Sequence, residues 1–384
     1  MGHRLGFTPE EAERQEMEHT LAEIGRQPAA WQTIYAGIRH RKAEIACFLS
    51  RLDKDTRVIL TGAGSSGFIG DALAPLLRQE LGFAAVESVH TTSLVANPDL
   101  YFPPAVKTLL ISLGRSGDSP ESLAAMELAE QRVREIYHLI ITCNPQGKLA
   151  GFHNERTLRF TLESVNDAAF AMTGSVTGMM LAAYGILHNE RDWTPEVARL
   201  ADYAAAVIDR VFIRLVGVLA DADRAVVLGS GPLWGAAREG ALKILELTAG
   251  KVLSRYDTPL GFRHGPKAML TSATAVLYFA AAGDYTRQYD LDMLRELARA
   301  EKRRLVVVDD RYDPEMDRLA DLYVYNSVNE KLPDGFTLYI PVLVAQIAAL
   351  FASLQCGCTP DNPFPGGEVN KVVQGVKIHP WRQQ

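Results

Sequence analysis

The sequence predicts an α/β protein built from two copies of a doubly wound parallel sheet flanked by helices, preceded by an N-terminal helical arm. Three observations carry this. Short apolar runs bounded by turn residues alternate with helical patterns, as in parallel strands joined by crossover helices. The segment TRVILTGAGSSGFIGDALAPLL at 56–77 lines up with DRAVVLGSGPLWGAAREGALKI at 223–244, an offset of 167 residues. That is too long for a solenoid repeat and has the size of a domain. Residues 9–51 read as helix ahead of the first strand. The chain then divides into an arm (1–45), a first α/β domain (46–205) and a second with a C-terminal tail (206–384).

The arm opens with Thr8-Pro9-Glu10-Glu11, an N-cap, a proline at the first helical position and an acidic first turn. It carries no recognisable chemistry, and packing on the core or on a second subunit is its expected role. Val58 to Leu60 is a short buried strand, Gly62-Ala63-Gly64-Ser65-Ser66-Gly67 a turn, and Phe68 to Leu81 a helix. Thr108 to Ser112, the turn Gly114-Arg115-Ser116-Gly117-Asp118-Ser119 and a helix from Pro120 repeat that arrangement. Strands follow at Ile136 to Thr142 and Thr157 to Leu162, and Met179 to Asp209 reads as a helical connection. In the second copy Ala225 to Leu228, Ala275 to Ala280, Leu305 to Val308 and Leu322 to Tyr325 are the strands. The longest apolar run, Leu338 to Leu354, contains Pro341 and Gln346 and falls short of a clean membrane span, so a buried helix is expected.

With 47% hydrophobic and 22% charged residues, the composition is that of an ordinary globular protein. A formal net charge of -6 supplies no basic field for nucleic acid, so a small anionic ligand has to be held by local groups. Neither a nucleic-acid nor a membrane partner is expected. Four scattered cysteines without a secretory signal suit a reducing cytoplasm. Cys356-Gly357-Cys358 is too close for a zinc pair and no histidine pair stands nearby, so no metal and no cofactor are expected.

Gly62-x-Gly64-x-x-Gly67 after a strand has the form of the dinucleotide fingerprint, and Glu87 lies about 20 residues on, as a nicotinamide-dependent oxidoreductase would require. Against that reading, Ser65 and Ser66 place hydroxyls inside the turn, and a second serine-bearing turn, Ser116 to Ser122, opens the next helix. Two such turns at helix N-termini suit one phosphate monoester better than a pyrophosphate lying along one helix. Ser119 before Pro120 is equally an N-cap. Arg115 lies in the same loop and would add positive charge. In the second copy the matching turns are Gly229-Ser230-Gly231-Pro232-Leu233 and Ala281-Ala282-Gly283-Asp284-Tyr285, where the acid would repel phosphate.

The helix after Gly231 is apolar except for Glu239, Lys243 and Glu246, which share one face at i, i+4 and i+7. This spacing also fits an ion-pair stripe on a solvated face. A helix so apolar elsewhere should be buried, which turns the stripe toward a cleft. Arg263-His264-Gly265-Pro266 follows, a turn bearing a titratable imidazole.

The run EGALKILEL followed by FRHGP resembles the sugar isomerase (SIS) domain family, in particular the isomerase half of glucosamine-6-phosphate synthase. Through REGALKILELTAGKV the chain more closely resembles the galactosamine-6-phosphate deaminase/isomerase group, formerly described as tagatose-6-phosphate ketose/aldose isomerases. The resemblance covers nearly the whole chain and implies two tandem SIS domains. It implies Ser65, Ser66, Ser116 and Ser119 as ligands of a sugar 6-phosphate, Glu246 as the base, and His264 as the ring-opening group, in its own or a neighbouring subunit's site. The segment Asn166-Asp167-Ala168-Ala169-Phe170-Ala171-Met172-Thr173-Gly174-Ser175 matches a sugar-side loop, so Thr173 and Ser175 are candidate contacts to sugar hydroxyls; a capped helix start at Thr173 fits equally. Lys371 matches a tail lysine that reaches the active site, and Glu239 and Lys243 would orient the rest. The implied activity is isomerising deamination of an amino-sugar 6-phosphate by a homodimer or larger homo-oligomer, with a plain ketose/aldose isomerase and a non-catalytic sugar-phosphate sensor as alternatives. No glutamine-hydrolysing domain with a Cys nucleophile is seen, so the degradative direction is expected.

Overall fold

The computed structural model describes residues 5–299, 304–326 and 331–382. Its N-terminal arm is four helices rather than one: α1 (Pro9–Arg14), α2 (Glu18–Gly25), α3 (Gln27–His40) and α4 (Lys42–Leu49). Thr8 and Glu11 close a reciprocal capping box on α1. The helix ends because Glu16 adopts φ 47°, a left-handed conformation that a helix cannot continue through.

The first sheet follows as β1 (Arg57–Thr61), α5 (Ser65–Glu80), β2 (Ala85–Ser88), α6 (Thr91–Ala96), α7 (Pro98–Tyr101), β3 (Thr108–Gly114), α8 (Pro120–Arg132), β4 (Ile136–Thr142), α9 (Lys148–Gly151) and β5 (Thr157–Thr161). The connection comprises two helices, α10 (Gly174–Leu187) and α11 (Thr194–Leu219). The second sheet comprises β6 (Arg224–Gly229), α12 (Pro232–Leu247), β7 (Leu253–Asp257), α13 (Pro259–Phe262), β8 (Thr274–Phe279), α14 (Asp284–Leu297), β9 (Leu305–Asp309), α15 (Pro314–Leu319), β10 (Leu322–Tyr325) and α16 (Tyr339–Gln355).

Both sheets are wholly parallel, ordered β2-β1-β3-β4-β5 and β10-β9-β8-β6-β7, so the sequence expectation of an α/β fold with two doubly wound sheets holds. In each, the chain winds outward in both directions from the strand before the first Gly-rich turn, which leaves a switch point beside that turn. Two strands absent from the sequence reading, β2 and β7, are the edge strands next to β1 and β6. The first helix begins at Ser65 rather than Phe68, which brings both serines of the turn into its first residues.

Compactness groups the chain into two units that are discontinuous in sequence. One holds Ala30–Asn166, Gly174–Thr194 and Gly367–Gln384. Its core packs Ile59, Leu110, Ile136 and Ile140 against Ala125, Met126 and Leu149, with Trp381 of the tail set on its margin. The other holds Met1–Ala29, Asp167–Thr173 and Pro195–Gly366. There α12 lies so close to α16 that a Cβ on Gly240 would stand 2.9 Å from Cβ of Ala345. Helix α16 lies within the one described stretch long and apolar enough to cross a membrane, Asp334–Gln355, and 83% of its apolar window is buried inside the protein.

Candidate active site

In the first-sheet unit the turn after β1 has little room. A Cβ on Gly62 would fall 2.6 Å from the backbone of Ser66, so this position takes only glycine, and Gly64 adopts φ 56°. The turn delivers Ser65 and Ser66, both buried, to the first turn of α5, where backbone N–H groups lack helical partners. The turn after β3 is pinned from outside: Asn144 Nδ2 donates to the carbonyl of Ser116 at 3.1 Å, and Asp118 accepts from the Lys148 N–H at 3.0 Å. Ser119 occupies the N-cap position of α8, but its hydroxyl makes no capping bond; it donates to Glu121 Oε2 at 2.7 Å. Ser119 is therefore the N-cap by position, as the sequence suggests, but caps through its carbonyl and not through its hydroxyl. Arg115 is buried, and its Nη2 donates to the carbonyl of Lys371 at 3.0 Å, which ties the tail to the second serine turn. The side chain of Lys371 belongs to an exposed residue.

Sequence reasoning missed a set of hydroxyls near these turns. Thr61 and Ser112 are register partners at the C-terminal ends of β1 and β3, and the Thr91 N–H donates to the carbonyl of Gly62 at 3.0 Å. All three hydroxyls are buried without a hydrogen-bond partner among the described residues. For Thr61 and Ser112 the available signal was a polar residue at or near the end of an apolar strand; Thr91, at the start of α6, carried no such signal.

In the second-sheet unit the turn before α12 repeats the first one. Gly231 has φ 58° and ψ -124°, against 56° and -129° at Gly64, and a Cβ on Gly229 would meet Leu233 at 2.5 Å. The shape is kept while Pro232 and Leu233 replace the hydroxyls. The companion loop is filled by protein groups. Ala281 donates to Asp290 Oδ2 at 2.8 Å and accepts from Arg287 Nη1 at 3.3 Å. Arg287 is itself held by both oxygens of Asp309, at 2.9 and 2.5 Å. Carboxylates here occupy the surroundings an anion would need.

On α12 the charged face is not a solvated stripe. Glu239 and Lys243 are buried, and Lys243 Nζ lies 3.5 Å from Glu239 Oε1 and 2.5 Å from Glu246 Oε2. Glu246, with a side chain 25% exposed, is the member that opens to solvent. An ammonium buried between two carboxylates fixes their positions, because moving any of the three leaves an uncompensated charge. His264 is exposed in the turn after α13, where its N–H donates to the carbonyl of Gly261 at 2.9 Å. The turn is anchored to α14 through Glu296, which pairs with Arg263 at 3.0 Å and with Lys267.

Thr173 is buried just before α10, and its hydroxyl has no hydrogen-bond partner among the described residues, so it does not cap that helix. Ser175 is buried in the first turn of α10. Among the described residues no group of three or more His, Cys, Asp or Glu side chains is arranged to hold a metal ion, and none of the four cysteines is in a disulfide. The structure thus gathers Ser65, Ser66, Ser116, Ser119, Arg115, Ser175 and Lys371 in the first-sheet unit, and Glu239, Lys243, Glu246, His264 and Thr173 in the second.

Comparison with known proteins adds four findings. A family model described as the SIS domain matches residues 51–187 and 218–353. Over 371 residues the chain is 43% identical to the D-galactosamine-6-phosphate deaminase AgaS of Escherichia coli, covering 94% of this chain and 96% of that one. The protein of that name from Shewanella sp. (strain ANA-3) is 40% identical over 375 residues, with 94% and 92% covered. A crystal structure of tagatose-6-phosphate ketose/aldose isomerase from Escherichia coli aligns with a TM-score of 0.87 at 40% identity, covering 95% of this chain and 97% of that chain.

Proposed function

The chain belongs to the SIS domain family, and from that premise we propose that it is a sugar-phosphate isomerase acting as an isomerising deaminase: galactosamine 6-phosphate is converted to tagatose 6-phosphate and ammonia. The observation that carries the reading is the α12 triad, in which buried Glu239 and Lys243 hold Glu246 as the one carboxylate open to solvent. A fixed, accessible carboxylate is what abstraction of a proton next to a carbonyl or imine requires.

On this reading Ser65, Ser66, Ser116 and Ser119 hold the 6-phosphate together with the N-terminal N–H groups of α5 and α8, and Arg115 adds charge. Thr173 and Ser175 contact sugar hydroxyls. His264 opens the ring, and its exposure leaves it able to serve its own or a neighbouring subunit's site. Glu246 takes the C2 proton of the open-chain 2-amino aldose. The electron pair moves into an enaminol whose developing charge is met by Lys371 in the O1/O5 region. Protonation at C1 leaves an imine at C2, which water hydrolyses to the ketone with loss of ammonia. With a 2-hydroxy aldose the same steps end at the ketose without ammonia.

The names of the Escherichia coli and Shewanella relatives support the amino sugar. The name of the aligned crystal structure supports the second reading, a ketose/aldose isomerase. Coupled ammonia detection decides between them. Protein given galactosamine 6-phosphate should release one ammonia per ketose phosphate, while glucosamine 6-phosphate and tagatose 6-phosphate serve as comparison substrates. Interconversion of ketose and aldose phosphates with no ammonia from any amino sugar would establish the plain isomerase.

A further inference from the structure

The Asp167–Thr173 loop contains Ala168-Ala169-Phe170-Ala171-Met172, five residues without a polar side chain, so between its two ends it has no side chain that can anchor its backbone. Its backbone is held instead by residues far away in sequence within the second-sheet unit. Glu23 on α2 accepts through Oε1 from the N–H groups of Ala168 at 2.5 Å and Ala169 at 3.2 Å. Phe170 donates to the carbonyl of Asp361 at 3.0 Å, and its ring packs against Phe364 at 5.1 Å between centroids. The Thr173 N–H donates to Asp167 Oδ2 at 2.9 Å, and the Thr173 carbonyl accepts from Gln346 Nε2 at 3.2 Å. Gln346 is oriented in turn by Gln27, whose Nε2 donates to Gln346 Oε1 at 2.7 Å. Asp361 closes the assembly by accepting from the N–H groups of His19 and Thr20 at 2.9 and 2.7 Å, which caps α2.

Glu23, Gln27, Thr173 and Gln346 are all buried. Buried polar groups of this kind are costly unless bonded, so a set this interlocked admits one arrangement of the loop. What the arrangement leaves over is Glu23 Oε2 and the Thr173 hydroxyl, both buried and without a hydrogen-bond partner among the described residues, and of the two only the Thr173 hydroxyl lies on the loop itself. We infer that the N-terminal helices belong to the substrate-binding apparatus: Glu23 and Gln27 are positioning residues that fix the Asp167–Thr173 loop and thereby aim the Thr173 hydroxyl at the sugar. This rests on the sugar contact assigned to Thr173 in the proposed function.

The experiment combines amide hydrogen exchange with steady-state kinetics on galactosamine 6-phosphate for Glu23→Ala, Thr173→Val, their double variant and Glu23→Gln. Glu23→Ala should raise exchange of the 168–173 amides on the order of tenfold or more, and raise KM on the order of tenfold while kcat changes far less. Thr173→Val should raise KM similarly, and the double variant should match Thr173→Val within about twofold, because Glu23 acts through Thr173. Glu23→Gln keeps an Oε1 acceptor and should restore most of the affinity. It also supplies the folded comparison if the alanine variant fails to fold, with Gln27→Leu as the second perturbation. Unchanged exchange in the loop overturns the inference whatever the activity. So does faster exchange in Glu23→Ala with KM unmoved while Thr173→Val raises KM. Faster exchange with neither substitution moving KM would retain the anchoring and refute the sugar contact of Thr173.

Discussion

Replacing Glu246 by Gln keeps an acceptor toward Lys243 and removes the basicity. Turnover is expected to fall roughly 100- to 10,000-fold with sugar-phosphate affinity nearly intact, which single-turnover kinetics and calorimetry would separate. Half-normal turnover would move the base elsewhere, with Glu239 next in line. Lys243→Met strips the ammonium from between two carboxylates of which one is fully buried. A loss of about 3–5 kcal/mol is expected in denaturant melts, with a smaller loss when Glu239→Gln is added. Glu23 titrates in an accessible range: burial first, and the Asp167 carboxylate second, push its carboxyl up to about 7 from an ordinary 4.5. A folded-state value above the unfolded one means that this group's contribution to stability is fully present below about 4.5 and lost as pH rises through about 7. Thermal melts from about pH 5 to 8 should therefore show Glu23→Gln losing less stability than the parent protein over that interval.

The two Gly-rich turns have the same backbone and different chemistry, so the same substitution should have different effects in each. Ser65→Ala with Ser116→Ala should weaken sugar-phosphate binding by roughly 1.5–3 kcal/mol for each charged hydrogen bond lost. Ser230→Ala should leave binding unchanged, and a substrate-soaked crystal with phosphate at Gly229-Ser230-Gly231 would overturn this division of labour. These elements were readable because glycine and serine at a strand end have few other uses. The edge strands were not. β2 and β7 each pair on one side only, and only Val86 among their residues is buried, so neither leaves the continuous apolar run that marks a central parallel strand. The arm read as one helix because its apolar periodicity is almost unbroken, while the left-handed turn at Glu16 has no glycine to announce it.

For the whole molecule, binding to the folded state alone should raise the melting temperature with sugar-phosphate concentration. The Ser65→Ala/Ser116→Ala protein should lack that rise. The duplication was legible because the 167-residue offset preserves both the glycines and the apolar strand before them. The partners of the Asp167–Thr173 loop were not, since hydrogen bonding to backbone N–H and C=O groups leaves no mark on the identity of Ala168, Ala169 or Phe170. Thr173 lies 173 residues ahead of Gln346, the side chain that donates to its carbonyl. On a ribosome adding about 5–20 residues per second, the interval is roughly nine to thirty-five seconds. Throughout it both serine turns have already emerged, whereas the loop waits for Gln346 and Asp361 to be made. A nascent chain halted before them would carry both serine turns and the Asp167–Thr173 loop without its last anchors.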